Sequence, residues 1–253
     1  MTKHWNTIWI IGASAGIGAA LVQKFVRQNP DAILITSARN ADALNDLAAE
    51  SPKIHALPLD VTDQTAIATA IAKIETDHGL PDLVILAAGI YSPMPVAEFS
   101  AQTIRQHIEI NYLGVVNCLE PLLARMRERG SGEIAVVASV AGYRGLPKAA
   151  AYGPTKAALI NLCETLHGEL AGSGVLVRVI NPGFVKTRLT AKNDFDMPHL
   201  QTPQQAADDI HAGLMRDDRF EIAFPPPFVR QLKFARILPY KWYFKLMRKV
   251  MGE

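Results

Sequence analysis

Residues 7–18 read TIWIIGASAGIG, a short apolar run followed by a turn that contains three glycines. The run predicts a buried strand, and the helix-like segment 16–28 follows the turn without a break. Glycine leaves no Cβ between the backbone and a bound pyrophosphate, and a helix N-terminus offers free N–H groups. The stretch therefore predicts a phosphate-binding turn. Its G-x-x-x-G-x-G spacing differs from the usual G-x-G-x-x-G, so a merely tight turn stays open as the alternative.

Outward from this turn, apolar runs alternate with amphipathic segments. Most runs are apolar along their whole length, as a parallel sheet covered on both faces requires. The alternation predicts an α/β fold, a single Rossmann-type, doubly wound parallel sheet flanked by helices. The predicted strands are Thr7–Ile11, Ala32–Thr36, Ile54–Leu57, Leu83–Ala87, Glu133–Ala138 and Leu176–Ile180. The predicted helices are 16–28, 40–49, 64–78, 101–129 and 152–171, with a further one beginning at Thr202-Pro203.

Composition limits the class of protein. Of the 253 residues, 49% are apolar and 20% are charged, which is enough apolar material for a substantial core. The two cysteines cannot form a disulfide framework and the histidines show no HExxH spacing, so we expect no metal. The N-terminal apolar run is too short for a signal peptide or a membrane span, and we expect a cytoplasmic protein.

Charge is unevenly distributed along the chain. Residues 225–253 hold seven of the 26 Lys and Arg and one of the 24 acids, a balance of +6, which leaves −4 for residues 1–224. A body with that balance argues against a nucleic-acid-binding surface. We therefore expect a dinucleotide-binding and catalytic domain over 1–224 and a basic amphipathic C-terminal extension over 225–253.

The end of the second predicted strand bears on the cofactor. In dinucleotide-binding folds an acid at this position binds the ribose hydroxyls of NAD and would repel a 2′-phosphate. Here residues 35–40 read ITSARN and contain no acid. Arg39 is able to hold that phosphate by charge-assisted hydrogen bonds, so we expect NADP, with NAD as the alternative. The competing interpretation makes Arg39 a solvated loop charge.

A second group of residues indicates chemistry. Ser139 follows a predicted strand, and Tyr152 and Lys156 lie four residues apart, on one face of a helix. Pro154 fits the first turn of that helix, where its missing N–H costs little. Asn111 lies inside an earlier helix-like segment. Each residue alone is more often a surface or capping residue, but the ordered set indicates a catalytic site.

With this set the chain resembles the single-domain type of the short-chain dehydrogenase/reductase family. The matching motifs are Gly12-x-x-x-Gly16-x-Gly18, Asp60-Val61, Ala87-Ala88-Gly89, Asn111, Ser139, Tyr152-x-x-x-Lys156 and Asn181-Pro182-Gly183 with Thr187. They follow the order of the family. Two departures are Ile11, where threonine is frequent, and the missing asparagine in the segment 86–89.

The resemblance implies a role for each of these residues. Tyr152 would be the general acid in reduction and the base in oxidation, its pKa lowered from about 10 by the Lys156 ammonium and the positive nicotinamide. Lys156 would also hold the nicotinamide ribose, Ser139 would orient the substrate oxygen, and Asn111 would help hold a water that connects Lys156 to solvent. The predicted cofactor-binding residues are Gly12, Ser14, Gly16, Ile17, Gly18, Arg39, Asp60, Val61, Ala87, Ala88, Gly89, Tyr152, Lys156, Pro182, Gly183, Val185 and Thr187.

The substrate is expected among the loops that follow the strands. Segments 91–95, 140–147 and 184–199 are the candidates for the pocket wall. Their apolar side chains predict a pocket for a hydrophobic ketone, aldehyde or secondary alcohol, although each is equally compatible with an ordinary core. The predicted substrate residues are Ser139, Tyr143, Leu146 and Phe184.

The C-terminal extension predicts two short helices separated at Pro239. In the second, Tyr243, Leu246, Met247 and Val250 recur on one face among lysines and arginines. A cationic, aromatic-rich amphipathic helix favours an anionic membrane surface, so residues 228–253 predict peripheral membrane contact. The alternative is that this face packs on the body or on a second subunit.

The resemblance also implies a homodimer or homotetramer, formed through the helices at 101–129 and 152–171. The leading function is an NADP-preferring oxidoreductase that acts on a small-molecule carbonyl or alcohol. One alternative is a non-catalytic dinucleotide-binding sensor or scaffold, against which the intact Ser139, Tyr152 and Lys156 argue. The other is a sugar-nucleotide epimerase or dehydratase of a longer related family with a different glycine spacing.

Overall fold

The computed structural model describes residues 3–216 and 219–251. In these residues seven strands form one parallel sheet, in the order β3-β2-β1-β4-β5-β6-β7. The strands are β1 (Thr7–Ile11), β2 (Ile33–Ser37), β3 (Ile54–Ala56), β4 (Leu83–Leu86), β5 (Gly132–Val137), β6 (Val175–Pro182) and β7 (Glu221–Phe224). The order reverses between β1 and β4, so the predicted doubly wound, Rossmann-type sheet is confirmed.

Helices cover both faces of the sheet. They are α1 (Gly16–Gln28), α2 (Ala41–Ala49), α3 (Gln64–His78), α4 (Ala101–His107), α5 (Gly114–Arg129), α6 (Gly153–Glu169), α7 (Pro203–Leu214), α8 (Pro226–Ile237) and α9 (Tyr240–Met251). Alternate residues of β1 show why its sequence is apolar throughout. Ile8 and Ile10 pack in the layer that holds residues of α1, α2 and α7, whereas Trp9 and Ile11 pack in the layer of α3, α5 and α6. Each fully buried isoleucine contributes about 1.5–3 kcal/mol relative to exposure.

Two elements differ from the prediction. The predicted continuous helix 101–129 is interrupted by a π-helical segment, Ile108–Leu113, which separates α4 from α5. This wider turn contains Asn111, whose side chain bonds to the backbone of a neighbouring loop. The strand β7 was not predicted, because it has only four residues, lies next to a run of prolines and pairs at the sheet edge with β6 alone.

The C-terminal extension folds back on the body with one of its faces. Phe228 and Val229 of α8 join the hydrophobic core. The Arg144 guanidinium donates to the carbonyl oxygens of Ala235 and Leu238, both at 2.7 Å, and the Tyr243 hydroxyl donates to that of Gly145. The domain boundary at residue 224 stays a prediction. The side chain of Val250, a predicted apolar position, and residues 252–253 lie outside what the structure describes.

None of the helices among the described residues combines the length and the hydropathy that crossing a bilayer requires.

Candidate active site

A large cavity lies at the carboxyl ends of the strands, where the sheet order reverses. Its volume is about 1490 Å³, more than the roughly 300–1,000 Å³ of an ordinary small-molecule site. Loops after β1, β4, β5 and β6 form its wall, which is the usual ligand position in a doubly wound sheet. The predicted site residues that line it are Gly12, Ser14, Gly16, Ile17, Gly18, Arg39, Asp60, Val61, Ala87, Ala88, Gly89, Ser139, Leu146, Tyr152, Lys156, Pro182, Gly183, Phe184, Val185 and Thr187.

The glycine turn forms one end of this cavity. Gly12 has a φ of +98°, and a Cβ there would lie 2.5 Å from the backbone nitrogen of Ala88. A Cβ on Gly18 would lie 2.1 Å from the carbonyl oxygen of Gly12, so the helix approaches its own turn at a distance that only glycine permits. The N-cap residue Ala15 supplies no side-chain bond to the first turn of α1. An uncapped helix N-terminus against a cavity wall fits a pyrophosphate.

Arg39 lies at the outer edge of the same cavity end, and its side chain is exposed. No carboxylate in the described ranges lies within ion-pair distance of it. The nearby Asp60 is engaged elsewhere, since its Oδ1 accepts hydrogen bonds from the backbone N–H of Thr62 at 3.0 Å and from the Thr62 hydroxyl at 2.9 Å. Chiefly the backbone bond, and to a smaller degree the charge of Arg39, lower the pKa of Asp60. The guanidinium is therefore available to an anionic ligand.

The proposed catalytic side chains meet near the middle of the cavity. Lys156 is 4% exposed, and its Nζ donates to the carbonyl oxygen of Val137 at 2.8 Å. The same nitrogen lies 5.5 Å from the centre of the Tyr152 ring. Burial lowers the pKa of Lys156 to about 8. The Ser139 hydroxyl accepts from the backbone N–H of Ala141 at 3.1 Å and is hydrogen-bonded to the Tyr152 hydroxyl.

The pKa of Tyr152 differs from the sequence-based expectation. Burial raises it to about 12, against the smaller lowering effect of the hydrogen bond to Ser139. The expected lowering by Lys156 is absent in the protein alone, because loss of hydration disfavours the phenolate more than its neighbours favour it. At neutral pH the phenol is protonated, which suits a group that donates a proton.

Asn111 does not line the cavity; its side chain supports the wall from behind. Its Oδ1 accepts from the backbone N–H of Ile90 at 2.7 Å, and its Nδ2 donates to the Ile90 carbonyl at 3.0 Å and to the Thr155 hydroxyl at 3.3 Å. The Oδ1 atom keeps a second acceptor lone pair beside the bond from Ile90, and the predicted water-holding role of Asn111 stays a prediction. Asn111 positions the segment that adjoins Gly89 and Lys156.

Comparison with known proteins now identifies the family. The model of the short chain dehydrogenase family matches residues 6–197. The chain belongs to this family. It is thereby an oxidoreductase, and the resemblance predicted from its motifs is confirmed.

Three similar proteins illustrate the relationship. An uncharacterized oxidoreductase of Myxococcus xanthus (strain DK1622) is 33% identical over 239 residues, 93% of each chain. The 2-dehydro-3-deoxy-L-rhamnonate dehydrogenase (NAD(+)) of Sphingomonas sp. (strain SKA58) is 33% identical over 79% of this chain and 76% of its own. A solved structure, ElxO with NADP bound, is 25% identical, with a TM-score of 0.76 over 88% of this chain and 98% of that one.

At the substrate end of this short-chain dehydrogenase, one predicted residue is misplaced. Tyr143 does not line the cavity; its ring belongs to the hydrophobic core. Its hydroxyl donates to Oε1 of Glu221, which also accepts from Asn181 at 2.8 Å, while Lys233 donates to Oε2. Tyr143 therefore ties the loop after β5 to β7, and the prediction of a substrate contact is wrong. The strand that carries Glu221 was not visible in the sequence.

Two sets of lining residues were not named individually from the sequence, although the first lies within the predicted wall segments 91–95 and 184–199. The first centres on Tyr91, whose ring packs edge-on against Tyr152 with centres 5.1 Å apart. The Tyr91 hydroxyl donates to Oδ1 of Asn193 at 2.7 Å, and Lys192 donates to the Tyr91 carbonyl at 2.7 Å. The second set, on α8 and α9, comprises Phe228, Gln231, Leu232, Phe234, Ala235, Leu246 and Met247. The helical spacing of Phe228, Leu232 and Ala235 was the available signal.

Proposed function

We propose that this oxidoreductase transfers hydride between NADP(H) and an apolar carbonyl compound or its secondary alcohol. One observation carries the proposal: Ser139, Tyr152 and Lys156 share a single cavity with an uncapped glycine turn. The turn and Arg39 would hold the dinucleotide phosphates at one end. Apolar side chains, among them Leu146, Phe184 and residues of α8, form another part of the wall.

The chain's own groups supply the proton and the orientation. Bound NADPH would supply the hydride. Ser139 donates a hydrogen bond to the substrate oxygen, and Tyr152 gives that oxygen its proton as negative charge develops there. Lys156, an ammonium at neutral pH, stabilises the resulting phenolate by its charge. Asn111 acts as a positioning residue, because it fixes the backbone beside Lys156.

Cofactor preference rests on Arg39. The structure leaves its guanidinium unpaired with any described carboxylate, at the cavity edge where an adenosine 2′-phosphate would lie. The bound NADP of ElxO supports this assignment, whereas the name of the Sphingomonas relative keeps NAD as the alternative. Nothing in the described residues favours the non-catalytic sensor or scaffold.

We also propose a cytoplasmic homodimer or homotetramer. Ile108 and Leu113, in the π-helical segment between α4 and α5, expose 40% and 38% of their surface. Apolar residues on this segment support association through the region that the resemblance implies. Sedimentation velocity on the full chain tests this association, and a monomer at all protein concentrations would exclude the proposed oligomer.

The decisive experiment is a screen of ketones, aldehydes and secondary alcohols that follows the absorbance of the reduced cofactor. Tyr152→Phe keeps the ring and removes the proton donor, so turnover should fall by about 10²–10⁴-fold. Tyr112→Phe, which lies off the cavity wall, is the matched control and should retain activity. A wild-type protein that binds NADPH yet turns over no compound, or a Tyr152→Phe variant as active as the control, would contradict the proposal.

A further inference from the structure

The outer surface of α8 and α9 carries large apolar side chains that the body does not cover. Phe234 is 63% exposed, Ile237 76%, Trp242 59% and Leu246 39%. In α8, Phe234 and Ile237 are one turn apart on one face, and in α9 Trp242 and Leu246 are likewise one turn apart. We call these four residues the apolar patch. Clustered exposed apolar side chains of this size mark an interaction site.

Exposed cations accompany the apolar patch on both helices. Arg230 lies on the same face of α8 as Phe234, and Lys241, Lys245 and Arg248 recur along α9 at the spacing of one face, all exposed. Within the described ranges no carboxylate pairs with any of these four. In residues 219–251 the only acid is Glu221, which is already held by Lys233, Tyr143 and Asn181.

The inner faces of the two helices are already occupied, so the patch is not a packing surface left over within the chain. Tyr243 and Met247 are buried, and the Arg144 guanidinium lies 3.9 Å from the centre of the Tyr243 ring. The side that faces outward on α9 is the cationic one. Packing of these helices on the body, the alternative raised by the sequence, therefore accounts for their buried face. It does not account for the exposed apolar patch and its cations.

The apolar patch is continuous with the cavity. Phe234 and Leu246 line the cavity wall and at the same time belong to the exposed patch. An apolar compound that reaches the patch is thus already at the rim of the pocket.

We propose that the α8–α9 surface docks on an anionic lipid surface and places the cavity rim at the bilayer, from which an apolar carbonyl substrate enters. The cations match acidic headgroups, and tryptophan beside them is typical of the membrane interface. A second copy docked symmetrically on the same surface would bring four cations against four, which like-charge repulsion opposes. The docking does not depend on the proposed function, whereas the entry of substrate rests on the proposed function.

Vesicle flotation of the full chain tests the docking. The wild type should float with vesicles of phosphatidylcholine mixed with phosphatidylglycerol, should float poorly with phosphatidylcholine alone, and should be released by high salt. Lys241→Glu with Lys245→Glu should lower the partition coefficient by roughly 30-fold or more, since each cation near such a surface is worth about 1 kcal/mol.

Arg27→Glu with Lys53→Glu is the matched control. It changes the net charge equally, on exposed residues of α1 and of the loop before β3, which is the edge strand farthest from β7. Equal loss in both variants, or no flotation of the wild type, would overturn the docking. A change in oligomeric state in place of flotation would assign the surface to a second copy and also overturn it.

A kinetic comparison tests the entry of substrate. Ile237→Asn and Trp242→Asn alter the patch at residues that do not line the cavity. With a long-chain ketone dissolved in anionic vesicles, both variants should show a KM several-fold above that of the wild type, and kcat/KM for a short, water-soluble ketone should stay unchanged. Equal effects on both substrates would exclude entry from the bilayer. A wild type inactive on both ketones would contradict the proposed function, and flotation would still decide the docking.

Discussion

The two ends of the cavity differ in whether backbone or side chains form most of the wall. The proposed dinucleotide end is built mainly on backbone, namely the glycine turn after β1 and the segment 87–89 after β4, with the Arg39 side chain at its outer edge. The substrate end consists of side chains from the loop at 190–194 and from α8 and α9, which lie outside the sheet. We therefore expect dinucleotide binding to weaken when a Cβ is added to a glycine of the turn. We expect substrate binding to weaken when a side chain at the second end is replaced.

The group between the two ends should show the largest effect. Lys156→Met removes the ammonium beside Tyr152, and kcat should fall by roughly 10²–10³-fold, as for other preorganised electrostatic groups. The same variant should be more stable than the wild type at pH 7 by about 2 kcal/mol. Removing the buried charge stabilises the fold by more than the lost hydrogen bond to the Val137 carbonyl destabilises it. Urea unfolding and steady-state kinetics measure the two quantities, with the exposed Lys53→Met as control.

The pH dependence of that stability gain has a defined sign. Lys156 has a folded pKa of about 8, below its unfolded value of about 10.5, so the unfolded chain holds the extra proton between these values. The wild type should therefore gain stability relative to Lys156→Met as the pH rises from 8 towards 10.5. A constant difference across that window would show that the lysine is not desolvated.

The glycine turn should show the next largest effect. In Gly18→Ala the new Cβ meets a backbone oxygen, so α1 must shift, at a cost of about 1–3 kcal/mol in stability. NADPH affinity should fall at least tenfold by the same displacement, measured by calorimetry. Gly168→Ala is the control, since a Cβ there meets nothing within 4 Å, and this exposed helical site should gain up to about 1 kcal/mol. Equal dinucleotide affinity in both variants would contradict the close approach.

Arg39→Ala should separate the two cofactors. A hydrogen bond to a charged group is worth about 1.5–3 kcal/mol, so Kd for NADPH should rise by roughly 10–100-fold while Kd for NADH changes little. Arg27→Ala, also exposed, serves as the control for loss of a surface charge. Equal weakening of both cofactors would reduce Arg39 to a solvated loop charge.

Tyr91→Phe should produce the smallest effect, at the substrate end. The variant loses the hydrogen bond to Asn193 but keeps the ring against Tyr152, so about 1 kcal/mol of support for the loop at 190–194 is lost. KM should rise by roughly fivefold with kcat nearly constant. A matching loss of kcat would instead place the Tyr91 hydroxyl in the chemical step.

The sequence alone determined six of the seven strands of the sheet, the family and the position of the glycine turn. Buried parallel strands must be apolar throughout, and the turn after β1 must be glycine where a Cβ would meet backbone atoms, so both leave a local pattern in the chain. The proposed catalytic pair could also be read from the sequence, because Tyr152 and Lys156 are one helical turn apart.

Only the tertiary structure decided the lining of the proposed substrate end and the protonation of the proposed catalytic groups. Tyr143 turned into the core because Glu221, 78 residues later, accepts its hydroxyl, and Asn111 was bound to Ile90 across 21 residues. The raised pKa of Tyr152 depends on how deeply the folded loops bury its side chain. The apolar patch on α8 and α9 likewise depends on which faces of these helices the body covers. Burial and contacts between distant residues have no local signature, because they depend on the summed packing of elements that meet only in the fold.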